Sequence, residues 1–219
     1  MTLSPIGIAV RPVRLVAAVA FAAFVALGCN ATTGGPGVTA TPPSAPPAAA
    51  CPTAQPAPLA AGETRTVTLA TTKGIITIKV EADLSPIAAG NFVALADCGF
   101  YDGVVFHRVV PGFVIQGGDP TGTGSGGPGY TIKDEPVTAD YGRGVVAMAR
   151  TAQPDSVGSQ FFIVTDDAAR DSLAAYNTYQ IIGHVTAGMD IADAITAAAG
   201  GVELPANPEA MTDVSVSNP

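Results

Sequence analysis

Phe106-His107-Arg108-Val109-Val110-Pro111-Gly112-Phe113-Val114-Ile115-Gln116-Gly117-Gly118-Asp119 is the stretch from which the rest of the chain can be read. The apolar runs Val104 to Val110 and Phe113 to Gln116 are short and are parted by Pro and Gly, so both read as strands. Val145 to Ala149, Phe161 to Val164 and Ile181 to Val185 follow in the same style. On the amino side, Ser85-Pro86 supplies an N-cap and a first-turn proline. Phe92, Leu95 and Ala96 then share a face before Gly99, which predicts an amphipathic helix. Before it, Val67 to Leu69 and Ile75 to Val80 alternate around Thr72-Lys73-Gly74 as a hairpin. On the carboxyl side, Ile191 to Ala199 reads as an Ala-rich helix and Met211 to Val216 as a last strand. Roughly eight strands with two helices predict a mainly β, closed antiparallel barrel with capped ends, because closure removes exposed edges.

The folded unit occupies residues 61–219 of the 219, and the composition before it differs. Arg11 and Arg14, the apolar run Leu15 to Leu27 and then Gly28-Cys29 follow the three-part layout of a secretory signal over residues 1–29. The run is about a dozen residues where a span needs about 20, so a cleaved signal is favoured over a signal-anchor. Ala26-Leu27-Gly28-Cys29 resembles a bacterial lipobox, although Ala26 stands where Leu is usual, and an ordinary signal-peptidase site is the alternative. Lipidation of Cys29 would hold the protein on the outer face of a membrane; otherwise it would be secreted or periplasmic. Residues 30–60, rich in Thr, Pro, Gly and Ala, read as a disordered stalk. Their proline stretch has no basic flank to suggest an SH3-type ligand. Three cysteines are an odd number. If Cys29 is lipidated, Cys51 and Cys98 are left either to pair or to stand as an exposed and a buried thiol. A net charge of −8 argues against a nucleic-acid partner.

Chemistry enters through three blocks. The opening stretch resembles, almost residue for residue, the central signature of the cyclophilins. Thr121 to Tyr130 is similar to that family's glycine-rich loop, and Gly158-Ser159-Gln160-Phe161-Phe162-Ile163 to its second signature. Val146-Ala147-Met148-Ala149 and Gly183-His184-Val185 with Gly188-Met189-Asp190 resemble its strand and late-turn motifs. The resemblance runs from about Val67 to the end and implies a closed eight-stranded cyclophilin-like barrel, two capping helices and a shallow proline groove on the outer face. It implies a peptidyl-prolyl cis–trans isomerase that rotates Xaa-Pro bonds and assists the folding of exported proteins. Arg108, Gln116 and Phe113 would be catalytic. His107, Val114, Ala149, Arg150, Gln160, Phe162, Leu173 and Tyr179 would bind substrate. The partners implied are proline-containing polypeptides and, through Cys29, a membrane. The chain would act as a monomer, without metal or cofactor.

These residue types suit the reaction. Turning a peptide bond breaks amide resonance and meets a barrier of about 18–20 kcal/mol. The twisted state localises a lone pair on the proline nitrogen, so a guanidinium beside it donates a hydrogen bond that the planar amide accepts poorly. A thousandfold to millionfold gain needs about 4–8 kcal/mol, within reach of one charge-assisted donor, a dry pocket and a clamped carbonyl.

Each residue also has a plainer reading. Arg108 alone is an ordinary surface arginine, Phe113 and Phe162 alone are core, and Asp134-Glu135 is a solvated turn. Gly117 to Gly129 lacks the Lys-Ser or Lys-Thr and the helix of a phosphate loop. His107 and His184 are too few and too far apart for a metal site. Departures from the family pattern are the lack of any Trp, with Leu173 taking the far wall, Tyr179 where His is frequent, Arg150 for Asn and Val114 for Met. They leave tight cyclosporin binding and the preference before proline open. The alternative function is an envelope module that binds proline-containing peptides without catalysis.

Overall fold

A computed structural model describes residues 50–218. The signal-like segment, Cys29 and the stalk up to residue 49 lie outside the described residues. Among those described, no helix is long and apolar enough to cross a membrane.

Eight antiparallel strands form one curled sheet: β1 (Thr64–Thr71), β2 (Gly74–Glu81), β3 (Arg108–Val110), β4 (Val114–Gly117), β5 (Val145–Met148), β6 (Phe161–Val164), β7 (Ile181–Ala187) and β8 (Met211–Ser217). Their order across the sheet is β3-β4-β6-β5-β7-β2-β1-β8. The expected hairpin is β1–β2, with Thr71 paired to Gly74. Gly74 has φ +140°, and a side chain there would also run into Ile191 of the neighbouring helix.

Helix α1 (Pro86–Asp97) buries Phe92 and Leu95 in the interior, and α3 (Met189–Ala198) buries Ala192 and Ile195. Ser85 is the N-cap of α1, but its hydroxyl turns to Leu84 O. The first helical N–H groups are capped from a distance instead: the Glu135 carboxylate accepts from Ile87 N at 2.8 Å and Ala88 N at 2.9 Å. Asp134-Glu135 is thus a bracing element, not the solvated turn its composition suggests.

The uninterrupted run of β6 is apolar because both faces of the sheet are covered there. Phe161 and Ile163 join the main core, while Phe162 and Val164 belong to a second cluster on the outside. Val146 and Met148 of β5 face inward, with Val145 and Ala147 outward. A short helix α2 (Arg170–Ala174), entered through a 3-10 turn at Asp167–Ala169, contributes Leu173 to the outer cluster.

Two expectations need correction. The sheet is an open half-barrel, not a closed barrel: no ladder joins β3 to β8. Irregular segments bridge the seam, through the pair Val105–Ala210 and bonds from Phe106 N to Glu209 O (2.8 Å) and Val109 N to Glu203 O (2.8 Å). Pro205 and Pro208 lie in that seam, and proline has no N–H for a ladder. The helices number three among the described residues, because α2 spans five residues and has too little length to show a period.

The end of the expected stalk is also ordered against the domain. Cys51 and Cys98 form a disulfide, which settles their two readings in favour of pairing. Leu59 N donates to Pro86 O at 3.1 Å, Leu59 packs on the core, and the backbone at Ala57 approaches Gly90 of α1 so closely that a side chain there would collide.

Candidate active site

Arg108 of β3 stands opposite Gln116 of β4, and Gln116 stands opposite Phe162 of β6. The pleat turns Val109, Ile115 and Ile163 into the main core and leaves Arg108, Gln116 and Phe162 on the outer face. Their polar ends form a directed chain. The carbonyls of Gly124 and Gly126 only accept, so Gln160 presents Nε2 to them at 3.0 and 2.9 Å. Its Oε1 then accepts from Gln116 Nε2 at 3.0 Å. Gln116 is left with Oε1 facing Arg108, whose Nη1 donates at 3.4 Å. The glycine loop thereby sets which end of Gln116 meets the guanidinium.

Beside this line the outer apolar cluster gathers Phe113, Val114, Ala149, Phe162, Leu173 and Tyr179. Tyr179 meets Phe162 edge-on, with ring centroids 5.4 Å apart. It is held by Tyr141, whose hydroxyl donates to Tyr179 O at 2.9 Å and accepts from Tyr179 N at 3.1 Å. Burial pushes the Tyr141 phenol up to about 12, so it remains a donor at neutral pH. Sequence reasoning missed Tyr141; its sole signal is a lone aromatic among Asp, Gly and Arg.

A groove of about 770 Å³ opens next to this cluster, bordered by the glycine loop, Ala149, Arg150, Gln116 and Gln160. Arg150 borders it with its charge already engaged, 3.0 Å from Asp134 and 2.7 Å from Gln153 O. His107 is buried, and its Nε2 lies under Gly124. Burial lowers its pKa, the Asp119 charge opposes this, and the nearby Arg108 adds to it. It thus lies beneath the glycine loop that borders the groove, beside which the resemblance sets it.

The loop itself is wound around Asp119, which is buried. Asp119 accepts from Thr121 N at 2.7 Å, Thr121 Oγ1 at 2.8 Å, Gly126 N at 3.0 Å and Thr123 N at 3.1 Å. Any side chain at Gly126 would strike Asp119 Oδ1. Burial alone would raise this carboxyl, but the donors outweigh it and hold it well below the usual carboxylate range. A depressed folded-state pKa means stability that is present above the unfolded value, about 3.9, and lost as pH falls below it. Asp119→Asn places an amide against N–H donors and is expected to cost about 1–3 kcal/mol at pH 7. In thermal unfolding across pH, its deficit against wild type should hold from pH 7 to 5 and shrink below about 4.

Among the described residues, no three His, Cys, Asp or Glu side chains gather as a metal site.

Comparison with known proteins identifies the family. The sequence pattern of the family described as "Cyclophilin type peptidyl-prolyl cis-trans isomerase/CLD" matches residues 66–216. Peptidyl-prolyl cis-trans isomerase B of Bacillus subtilis is 47% identical over 122 residues, covering 52% of this chain and 80% of that protein. Peptidyl-prolyl cis-trans isomerase A of Dickeya dadantii is 40% identical over 139 residues, covering 59% and 70%. A crystal structure of a Cryptosporidium parvum cyclophilin type isomerase superposes with a TM-score of 0.64 at 31% identity, covering 71% of this chain and 99% of that one. The same protein crystallised in the presence of the dipeptide Ala-Pro superposes at 0.63, with 30% identity and coverage of 70% and 99%. A match that begins in the first strand and ends in the last leaves one assignment: the chain belongs to the cyclophilin-type peptidyl-prolyl cis–trans isomerase family.

Proposed function

We propose that the Arg108 guanidinium stabilises the twisted Xaa-Pro bond by donating to the proline nitrogen while the ring sits among Phe113, Val114, Phe162 and Leu173. The observation that carries this reading is the shared outer face. Register sets Arg108, Gln116 and Phe162 abreast on β3, β4 and β6, so the charged donor stands beside the apolar cluster. A proline seated there leaves water, which strengthens a hydrogen bond at its edge. Gln116 orients the guanidinium, and the neighbouring groove by Gln160, Ala149 and Arg150 receives the residues before the proline.

The physiological role we infer is to speed prolyl steps in exported proteins, with Cys29 lipidated and residues 30–50 giving reach from the outer face of the membrane. The protein works as a monomer. A Cys51–Cys98 disulfide supports an oxidising compartment. The test is refolding of a secreted protein whose slow phase is proline-limited. Catalytic amounts of this protein should shorten that phase, and Arg108→Ala should not. An unaltered slow phase with wild type would refute the folding role.

A further inference from the structure

We infer that Glu203 is a positioning residue for the reaction, holding the Arg108 guanidinium in its working orientation; this rests on the reading of Arg108 above. Glu203 lies in the connection from α3 to β8, far from Arg108 in sequence. Two bonds place it. Its main-chain carbonyl accepts from Val109 N at 2.8 Å, which docks the loop on β3. Its carboxylate accepts from Arg108 Nε at 2.6 Å.

Gln116 takes the other side, at Nη1. A guanidinium is a rigid planar fork, so fixing Nε and Nη1 fixes its plane and leaves Nη2 directed by geometry and not by chance. Arginine otherwise has several rotatable bonds, and freezing them only in the transition state would raise the barrier. With Glu203 in place, that ordering exists before substrate arrives.

A purely structural role explains the pair less well. Both side chains are substantially exposed, 32% for Arg108 and 58% for Glu203, and such pairs add little to stability. The docking of the loop is carried by the main-chain bond, which any side chain at 203 preserves. What the carboxylate adds is the direction of Arg108.

The inference is tested with the full chain, its disulfide intact, by NMR exchange on a Xaa-Pro peptide at several concentrations. Glu203→Ala should lower kcat by about three- to tenfold with KM within about twofold, because the loss falls on the transition state. Glu203→Gln keeps an oxygen for Arg108 Nε and should recover most of the loss. The Arg108 Nε–Hε resonance should be sharp in wild type and the Gln variant, and broadened by solvent exchange in the Ala variant. An unchanged kcat in Glu203→Ala, or a Gln variant as slow as Ala, would overturn the inference. Arg108→Ala, run alongside, separates the two readings. If it is inactive while Glu203→Ala is normal, only the positioning role fails; if it is fully active, the role of Arg108 fails first.

Discussion

Arg108→Ala is expected to lower kcat/KM on a Xaa-Pro peptide by about 10²–10³, the usual cost of removing one donor aimed at a developing charge. The fold should persist. Arg108 sits on the three-residue edge strand β3, and the partners of its side chain are Glu203 and Gln116. Its main-chain pairing opposite Gln116 does not depend on the side chain. The melting temperature should therefore stay close to that of wild type, as exposed ion pairs add little. Peptide affinity should change far less than turnover, because the apolar cluster of Phe113, Val114 and Phe162, where we propose the proline ring sits, remains. Parallel NMR measurements of exchange and of peptide-induced shifts check both points.

The largest effect on stability is expected from the disulfide. Cys51–Cys98 closes 47 residues, and in the chain-entropy view opening a loop of that length costs about 2–4 kcal/mol. For a domain of this size that corresponds to a fall in melting temperature of roughly 5–15 °C. The Cys51→Ser/Cys98→Ser double variant should show it, and wild type under reducing agent should follow. Turnover at 25 °C should stay within about twofold, because the line of residues to which we assign catalysis is built on β3, β4 and β6 and not on residues 51–60. A double variant that melts with wild type would refute the staple.

Much of this was legible in the sequence wherever the physical cause is local. The β1–β2 hairpin shows in strict alternation because one face is buried and one is wet. Phe161 to Val164 shows as an unbroken apolar run because the sheet is covered on both sides there. Arg108, Gln116, Gln160 and Phe162 were singled out for a different reason: they lie inside two motif blocks, and the strand register with the Gln116–Gln160 bond brings them to one neighbourhood. Leu173 and Tyr179 pack in the same outer apolar cluster as Phe162.

What the sequence hid is long-range or irregular. Glu135 caps a helix 48 residues away, and Glu203 meets an arginine 95 residues away. No periodicity connects such partners. A strand count predicts closure and does not reveal a three-residue edge or a proline-bearing seam, which leave the sheet a half-barrel. Cysteine parity left the disulfide undecided, since only folding brings the Cα atoms of Cys51 and Cys98 to 5.1 Å. Arg150 shows the limit of transfer by motif, for its position borders the groove while its charge is taken by Asp134.

The measurement that bears most directly on the account is cis–trans exchange of a Xaa-Pro peptide, followed by NMR with catalytic amounts of the full chain. The account predicts exchange many times faster than the uncatalysed rate, where isomerisation takes tens to hundreds of seconds. Peptide resonances that shift and saturate while exchange stays at the uncatalysed rate would contradict it and would make the groove a binding site alone.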